Sequence, residues 1–319
     1  MPARHARVRS LAKINLGLHV LYKRPDGYHE LRTIFHTISL ADTLNIEFTP
    51  GRGARIELES EIDVPTDDNL VTRAAQLLFD KLNIRGHARF RLAKRIPMGG
   101  GLGGGSSDAA AVLLALPVLA GRKPSLELLH DCATQLGSDV AFFLYGGAAL
   151  GLGRGNELYP LPDVPQWPAL LITPGIHVST PEAYRALNRG LTAELPSCIM
   201  SSFQRFAWQV SQSSPGGPGQ AGNDFEDAVF RRRPVLGAIK RKLLRQGASP
   251  ALMSGSGSAV FGVFETPEAR DRARAQFVKE QTFPVKLVSR RTYRRMWMRQ
   301  LAEHRIDSNT WPPRSRYAK

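Results

Sequence analysis

Along residues 8–20, VRSLAKINLGLHV, apolar and polar positions alternate: Val8, Ile14, Leu16, Leu18 and Val20 fall on one side of a period-two pattern, and Lys13, Asn15 and His19 on the other. The pattern predicts a strand on which Lys13 and Asn15 face the same way, either along an exposed edge or into a site. A Pro-Asp-Gly-Tyr turn (Pro25–Tyr28) breaks the run, and RTIFHTISL resumes it, so strands flank a loop that carries Tyr28 and His29. ARIELES and HARFRLAKRIP read as further strands. Between them, DNLVTRAAQLLFDKL places Leu70, Ala74, Leu77 and Leu78 at helical spacing behind an Asp68 cap. AAAVLLAL and LELLHDCATQL continue as helices, and VFGVF as a late strand.

Between the HARFRLAKRIP strand and the AAAVLLAL helix lies PMGGGLGGGSSD (Pro97–Asp108), with six glycines in the seven positions from Gly99 to Gly105. Each glycine costs conformational entropy that a larger residue would spare, so the run serves backbone access rather than packing. Successive bare amides, followed by the positive end of a helix beginning near Ser106, make an anion cradle, and the expected ligand is phosphate. A flexible linker is the competing reading, but linkers rarely join a regular strand to a helix. A Walker loop is excluded because Gly105 is followed by Ser106 and Ser107 with no lysine. Gly99, Gly101 and Gly104 satisfy G-x-G-x-x-G, yet the acidic residues at dinucleotide spacing, Glu127 and Asp131, lie on a helical pattern rather than after a second strand. The protein-kinase motif set is missing, and no Gly-x-Ser-x-Gly elbow occurs.

Two further segments invite a functional reading. Asp139, in GSDVAFF (Gly137–Phe143), sits where a helix ends and apolar residues resume, as a helix cap or as a partly buried acid. MSGSGSA (Met253–Ala259) is a small-residue loop entering a strand.

Composition narrows the class. With 319 residues and 42% hydrophobic, the chain can bury one large core or two modest ones, and two lobes are expected. The longest apolar stretch, Ala109–Ala120, is too short to span a bilayer, and the start MPARHARVRS has no following apolar segment, so neither a membrane span nor a leader is expected. Two cysteines, Cys132 and Cys198, cannot frame a disulfide scaffold, and no metal-cage spacing occurs; a cytoplasmic setting without a resident metal follows. The 43 Lys+Arg against 28 Asp+Glu give a net +15, which favours polyanions or multiply phosphorylated substrates. Residues 289–319 hold nine Lys+Arg against Glu303 and Asp307. No aromatics alternate with these charges as a single-strand nucleic-acid platform requires, so a solvated basic tail is the reading, with RNA binding as the rival from another class. Oligomeric state has no signature here.

Taken together, AKINLGLHV (Ala12–Val20), RPDGYHEL (Arg24–Leu31), PMGGGLGGGSSDAA (Pro97–Ala110), GSDVAFF and MSGSGSAVFG (Met253–Gly262) resemble the GHMP kinase superfamily. Within it the motifs are most similar to the kinases acting on CDP-methylerythritol in non-mevalonate isoprenoid precursor synthesis. The Gly-Tyr-His turn argues against homoserine or mevalonate kinases. The resemblance runs from about residue 8 to about residue 290 and implies an α+β, two-lobed fold with the active site in the inter-lobe cleft. It implies a first lobe over residues 1–165, a second over 166–290 and a basic extension over 291–319. It implies transfer of the γ-phosphoryl group of ATP, with Mg²⁺, to the tertiary 2-hydroxyl of CDP-methylerythritol. Asp139 matches the family's catalytic aspartate and Lys13 its partner lysine. Pro97, Met98, Gly99, Gly100, Gly101, Leu102, Gly103, Gly104, Gly105, Ser106 and Ser107 match the ATP phosphate loop, and Asn69 and Lys94 match positions lining the adenosine side. Asn15, Tyr28, His29 and Thr180 match substrate contacts, with Tyr184 placed to sandwich cytosine against Tyr28.

Three stretches depart from the family pattern. Asn156 interrupts a Gly-Arg-Gly-Glu-like run (Gly153–Glu157), and Ser211–Asn223 is a loose insertion; neither is expected to touch the chemistry. The tail with Trp297, Trp311, Pro312 and Pro313 has no counterpart in the motifs, and either packs on the second lobe or is disordered.

Overall fold

β1 (Arg4–Lys23) and β2 (His29–Pro50) form the long antiparallel hairpin on which the molecule is built. In this computed structural model, which describes residues 2–60, 68–187, 222–307 and 309–318, β2 carries β4 (Gly86–Ala93) and β5 (Ala148–Leu152) as further partners. β3 (Ala54–Ser60) adds to β4 in parallel, and β6 (Glu157–Pro160) adds to β5. The order β3-β4-β2-β5-β6, with β1 on β2, makes the first sheet. A second antiparallel sheet runs β10-β7-β9-β8, from β7 (Pro168–Thr173), β8 (Ala251–Met253), β9 (Val260–Val263) and β10 (Gln281–Lys286). The chain therefore changes sheets between Pro160 and Pro168, giving a two-lobed α+β architecture.

The first lobe's core lies between its sheet and α1 (Leu70–Lys81), α2 (Gly104–Ala120), α3 (Leu126–Leu136) and α4 (Val140–Tyr145). Every residue of α2 from Ser107 to Leu119 is buried, which explains why AAAVLLAL has no polar stripe: the helix is surrounded. α1 starts at Asn69, whose Oδ1 accepts from Val71 N at 2.9 Å, so the cap falls one residue beyond the expected Asp68. A second core, with Ile14, Leu16 and Ile34 of the hairpin against Leu171, Phe261 and Val285, joins the two sheets. The second sheet's other face packs under α5 (Thr180–Leu187), α6 (Phe225–Arg232), α7 (Pro234–Arg245) and α8 (Pro267–Ala275).

The C-terminal extension does neither of the things expected of it. α9 (Arg290–Gln300) and the segment after it return to the first lobe, where Tyr293, Trp297 and Leu301 join the core beneath α4. Tyr293 donates its hydroxyl to Phe143 O (2.5 Å), Trp311 Nε1 donates to Leu144 O (3.0 Å), and Ser315 Oγ donates to Val118 O (2.5 Å). The two tryptophans are thus structural, and of the basic residues around them Arg291, Arg295 and Arg299 are on the solvent side of the packed helix while Arg290 and Arg294 are partly buried. Among the described residues no helix is long and apolar enough to cross a membrane.

Candidate active site

Lys13 and Asn15 lie between register shifts of β1 against β2, one after Leu11 and one after Asn15. Irregularities of this kind turn side chains off the regular alternation, and here both residues are buried rather than on an exposed edge. Lys13 Nζ, on a residue only 3% exposed, lies 3.2 Å from Asp139 Oδ2 and donates to Asn15 Oδ1 at 2.8 Å. Asn15 Nδ2 in turn donates to Thr33 Oγ1 (2.7 Å), whose hydroxyl donates to Gly17 O (2.8 Å). Each polar atom in this chain has a fixed partner, so the ammonium is aimed. Asp139 occupies the cap position of α4, yet its side chain makes no capping hydrogen bond; it turns to Lys13 and stays 34% exposed. A half-open carboxylate against a buried cation is the arrangement of a group that meets a ligand.

The glycine run passes directly beside this pair. Lys13 N donates to Leu102 O (2.9 Å), and a Cβ at Gly103 would press on Phe143 and on the Lys13 stem. Gly99, Gly101 and Gly103 have φ of +69°, +73° and +67°, a region other residues rarely adopt. Gly103 is the N-cap of α2, and the amides of Gly104, Gly105 and Ser106 that follow lack intrahelical carbonyl partners, as in any first helical turn. Two members of the loop are turned inward. The Leu102 side chain is part of the core between the sheets, and Ser107 Oγ donates to Leu11 O (2.7 Å), so these positions offer a ligand backbone only.

Lys94 sits beneath the same helix start, where its Nζ bonds Asp42 and, at 2.8 Å, Asp108. Asp42 is fully buried and also accepts from Arg95 N and Ile96 N (2.5 and 2.7 Å). Burial pushes the Asp108 carboxyl up to about 6, with Lys94 pulling against it. Lys94 is therefore held in an ion-pair network, and Asn69 is held by its capping bond; both border the glycine loop's side of the lobe through α1 and α2.

The third glycine segment closes on the second. Ser254 Oγ donates to Gly101 O (2.9 Å), Ala259 N to Gly100 O (3.3 Å), and a Cβ on Gly101 would run into the Ser254 carbonyl. Asn223 buttresses this contact: its Nδ2 donates to Met253 O and to Gly255 O, both at 2.7 Å, while its Oδ1 accepts from Phe225 N, the first residue of α6 (3.0 Å). Asn223, the end of the Ser211–Asn223 insertion, thus supports the site, against expectation; the rest of that insertion except Gly222 falls within residues 188–221, which lie outside the described residues.

A cleft of about 740 Å³ opens from Asp139 between the lobes, lined on the first lobe by Lys23, Tyr28, His29 and Arg154 and on the second by Thr180, Tyr184 and Arg185. Thr180 Oγ1 bonds Ser256 Oγ of the third loop at 2.8 Å. Tyr28 and Tyr184 share the cleft but do not face each other as an open pair. His29 stacks on Tyr184 (centroids 4.6 Å apart, planes 21° apart), and the Arg154 guanidinium lies 3.8 Å over the Tyr28 ring. Burial and the nearby Lys23 hold His29 below its ordinary pKa, and burial first, then Asp139, raises the Tyr184 phenol. Lys23, Arg154 and Arg185 supply positive charge that the motifs did not single out. Arg154 has a signal in the sequence, the Gly153–Glu157 run that departs from the family pattern. Among the described residues no cluster of three His, Cys, Asp or Glu could cage a metal.

Residues 69–147 match the GHMP kinases N terminal domain and residues 209–281 the GHMP kinases C terminal domain. Over 318 residues, 98% of both chains, the sequence is 55% identical to the 4-diphosphocytidyl-2-C-methyl-D-erythritol kinase of Solibacter usitatus (strain Ellin6076). The chain belongs to that kinase family. A second member, from Geobacillus thermodenitrificans (strain NG80-2), is 38% identical over 289 residues, 89% of this chain and 97% of its own. A crystal structure of 4-(cytidine 5'-diphospho)-2C-methyl-D-erythritol kinase superposes with a TM-score of 0.72 at 38% identity, covering 88% of this chain and 98% of that one. Homoserine kinase from Cytophaga hutchinsonii ATCC 33406 shares the fold (TM-score 0.68, 21% identity, 90% and 95% coverage). As a member of the 4-diphosphocytidyl-2-C-methyl-D-erythritol kinase family, the protein is an ATP-dependent kinase of the GHMP fold.

Proposed function

We propose that the protein phosphorylates the tertiary 2-hydroxyl of 4-(cytidine 5'-diphospho)-2-C-methyl-D-erythritol with ATP, in the cytoplasm, and that Asp139 is the base. The carrying observation is the 3.2 Å pairing of Lys13 with a half-exposed Asp139 at the mouth of the glycine loop. A tertiary alcohol is a weak nucleophile, so a carboxylate within hydrogen-bond reach accepts its proton as the oxygen–phosphorus bond forms and ADP leaves. Lys13, fixed by Asn15, offsets the negative charge gathered at the reacting centre.

The triphosphate lies on the amides of Gly99–Ser106, where bare backbone and the α2 N-terminus stabilise anionic oxygens. Asn69 and Lys94 border the adenosine side. Mg²⁺ would enter on the nucleotide, because such an ion keeps most of its waters and needs only one or two protein oxygens; the Ser106 hydroxyl at the start of α2 would supply one, leaving Asp139 to accept the proton. When bound, it would neutralise charge on the β- and γ-phosphoryl oxygens.

The cytidine end enters the cleft between Tyr28 and Tyr184, with Arg154 and His29 yielding the ring faces they now cover. A base stacked on an aromatic is worth about 1–3 kcal/mol. Lys23, Arg154 and Arg185 face the diphosphate and Thr180 the erythritol unit; Asn15, buried with both amide atoms bonded and absent from the cleft lining, acts through Lys13 rather than as the substrate contact expected of it.

Steady-state ADP release with CDP-methylerythritol, homoserine and mevalonate as competing acceptors tests the assignment. We expect kcat/KM for CDP-methylerythritol to exceed the others by at least 10³-fold; comparable turnover of either amino-acid or mevalonate acceptor contradicts it.

A further inference from the structure

On the outer side of the first lobe, at the opposite end of α4 from Asp139, α9 and the tail enclose a second groove of about 740 Å³. Its walls carry Arg290, Arg291, Arg294, Arg295 and Arg299 of α9 together with Arg305, against one carboxylate, Asp163. That carboxylate is already committed to the start of α9, accepting from Arg290 N (2.6 Å) and Arg291 N (3.2 Å). None of Arg291, Arg294, Arg295 and Arg299 forms an ion pair with a described residue.

The floor of the groove is rigid. Arg290 donates to Leu161 O (3.0 Å) and Ala148 O, and Arg305 donates to Met298 O (2.8 Å). Arg294 lies over Trp311, its Cζ 5.2 Å from the ring centroid. The Nε atoms of Arg290 and Arg294 are buried without a partner, and burial lowers the pKa of both groups, the direction expected of cations short of counter-charge. Along the rim, Arg291, Arg295 and Arg299 recur every fourth residue, which sets neighbouring side chains about 5–6 Å apart on one face. Guanidinium groups so spaced repel one another unless an anion bridges them, and their forked donors match phosphate oxygens.

We propose that this groove is a binding site for a small anion carrying a diphosphate group, separate from the catalytic cleft. Adjacent rim arginines take one phosphoryl group each, and the volume admits a molecule of nucleotide size. A single-stranded nucleic acid suits the surface less well, because Trp311, the aromatic in the lining, is covered by Arg294 and bonded to Leu144 O.

The test compares the full chain with an Arg291→Gln/Arg295→Gln variant, both positions being exposed and outside the catalytic machinery. Inorganic pyrophosphate is titrated calorimetrically into each at fixed ionic strength. The expected result is one more pyrophosphate site per chain in the wild type, weakened at least tenfold in the variant, whose kcat and KM for ATP stay within twofold. Repeating the pair with ADP separates free from esterified diphosphate, and a variant-sensitive site for either supports the proposal. Identical isotherms overturn it. So does equal affinity for orthophosphate at that site, or salt-sensitive binding of a twelve-nucleotide RNA with no pyrophosphate site. Because the readout is the difference between two catalytically competent proteins, failure here leaves the kinase reading untouched.

Discussion

His36 is fully buried on β2, with Nδ1 on Thr37 O (2.8 Å) and Nε2 without a partner, and burial lowers its pKa to about 4. A base whose folded pKa lies below its unfolded value of 6.5 binds its proton more readily in the unfolded chain. Its contribution to stability is therefore present above pH 6.5 and is lost as pH falls toward 4, by about 3 kcal/mol. Asp108, raised to about 6, acts oppositely in part of that window, since its neutral form favours the folded state. The difference between wild type and His36→Gln isolates the histidine: urea denaturation from pH 7 to pH 4 should show the wild type losing about 3 kcal/mol more than the variant. Parallel curves would mean that His36 does not titrate this way. Side-chain roles were only partly legible in the sequence. Parity told that Lys13 and Asn15 share a face; it could not tell that the face is buried, because that depends on bulges and on a carboxylate 126 positions later. Asp139 reads in the sequence as a cap because it immediately precedes a helix, and only the direction of its side chain, toward Lys13 rather than the helix amides, shows that it does not cap.

At the scale of elements, the glycine run announced itself because backbone access has a composition of its own. The Met253–Ala259 loop alone has the residues of a generic turn and stands out only within the family's set of motifs; its contact with Gly101, a pairing across more than 150 positions, is visible only in the fold. Asn223 was missed for the same reason, as its hydrogen bonds reach two carbonyls that only tertiary structure brings near. Gly101→Ala puts a methyl where φ is +73° and the Ser254 carbonyl already sits. The two loops must then separate, and kcat/KM for ATP should fall at least tenfold. Gly53→Ala, at an exposed turn with open space around its Cα, is the control and should leave kinetics unchanged. Equal kinetics for both variants would show that the loop contact is dispensable.

Across the whole molecule, length pointed to two lobes and the family resemblance supplied the fold, with which the mixed periodicities agree, whereas the destination of the last thirty residues was legible in neither. Their charge suggested a solvated tail, but charge describes only the outward side of α9; the inward side is Tyr293, Trp297 and Leu301. Trp297→Ala should destabilise the protein by about 3–5 kcal/mol in urea denaturation, as loss of a core aromatic does. A change below about 1 kcal/mol would mean that the extension is not part of the core. The same lobe positions α4, and with it the acid on which the chemical account depends. Single-turnover transfer of labelled γ-phosphoryl from ATP to CDP-methylerythritol by Asp139→Asn tests that account most directly. A fall of about 10²–10⁴-fold in rate, with ATP affinity and unfolding midpoint unchanged, is the predicted result; transfer at the wild-type rate would contradict it.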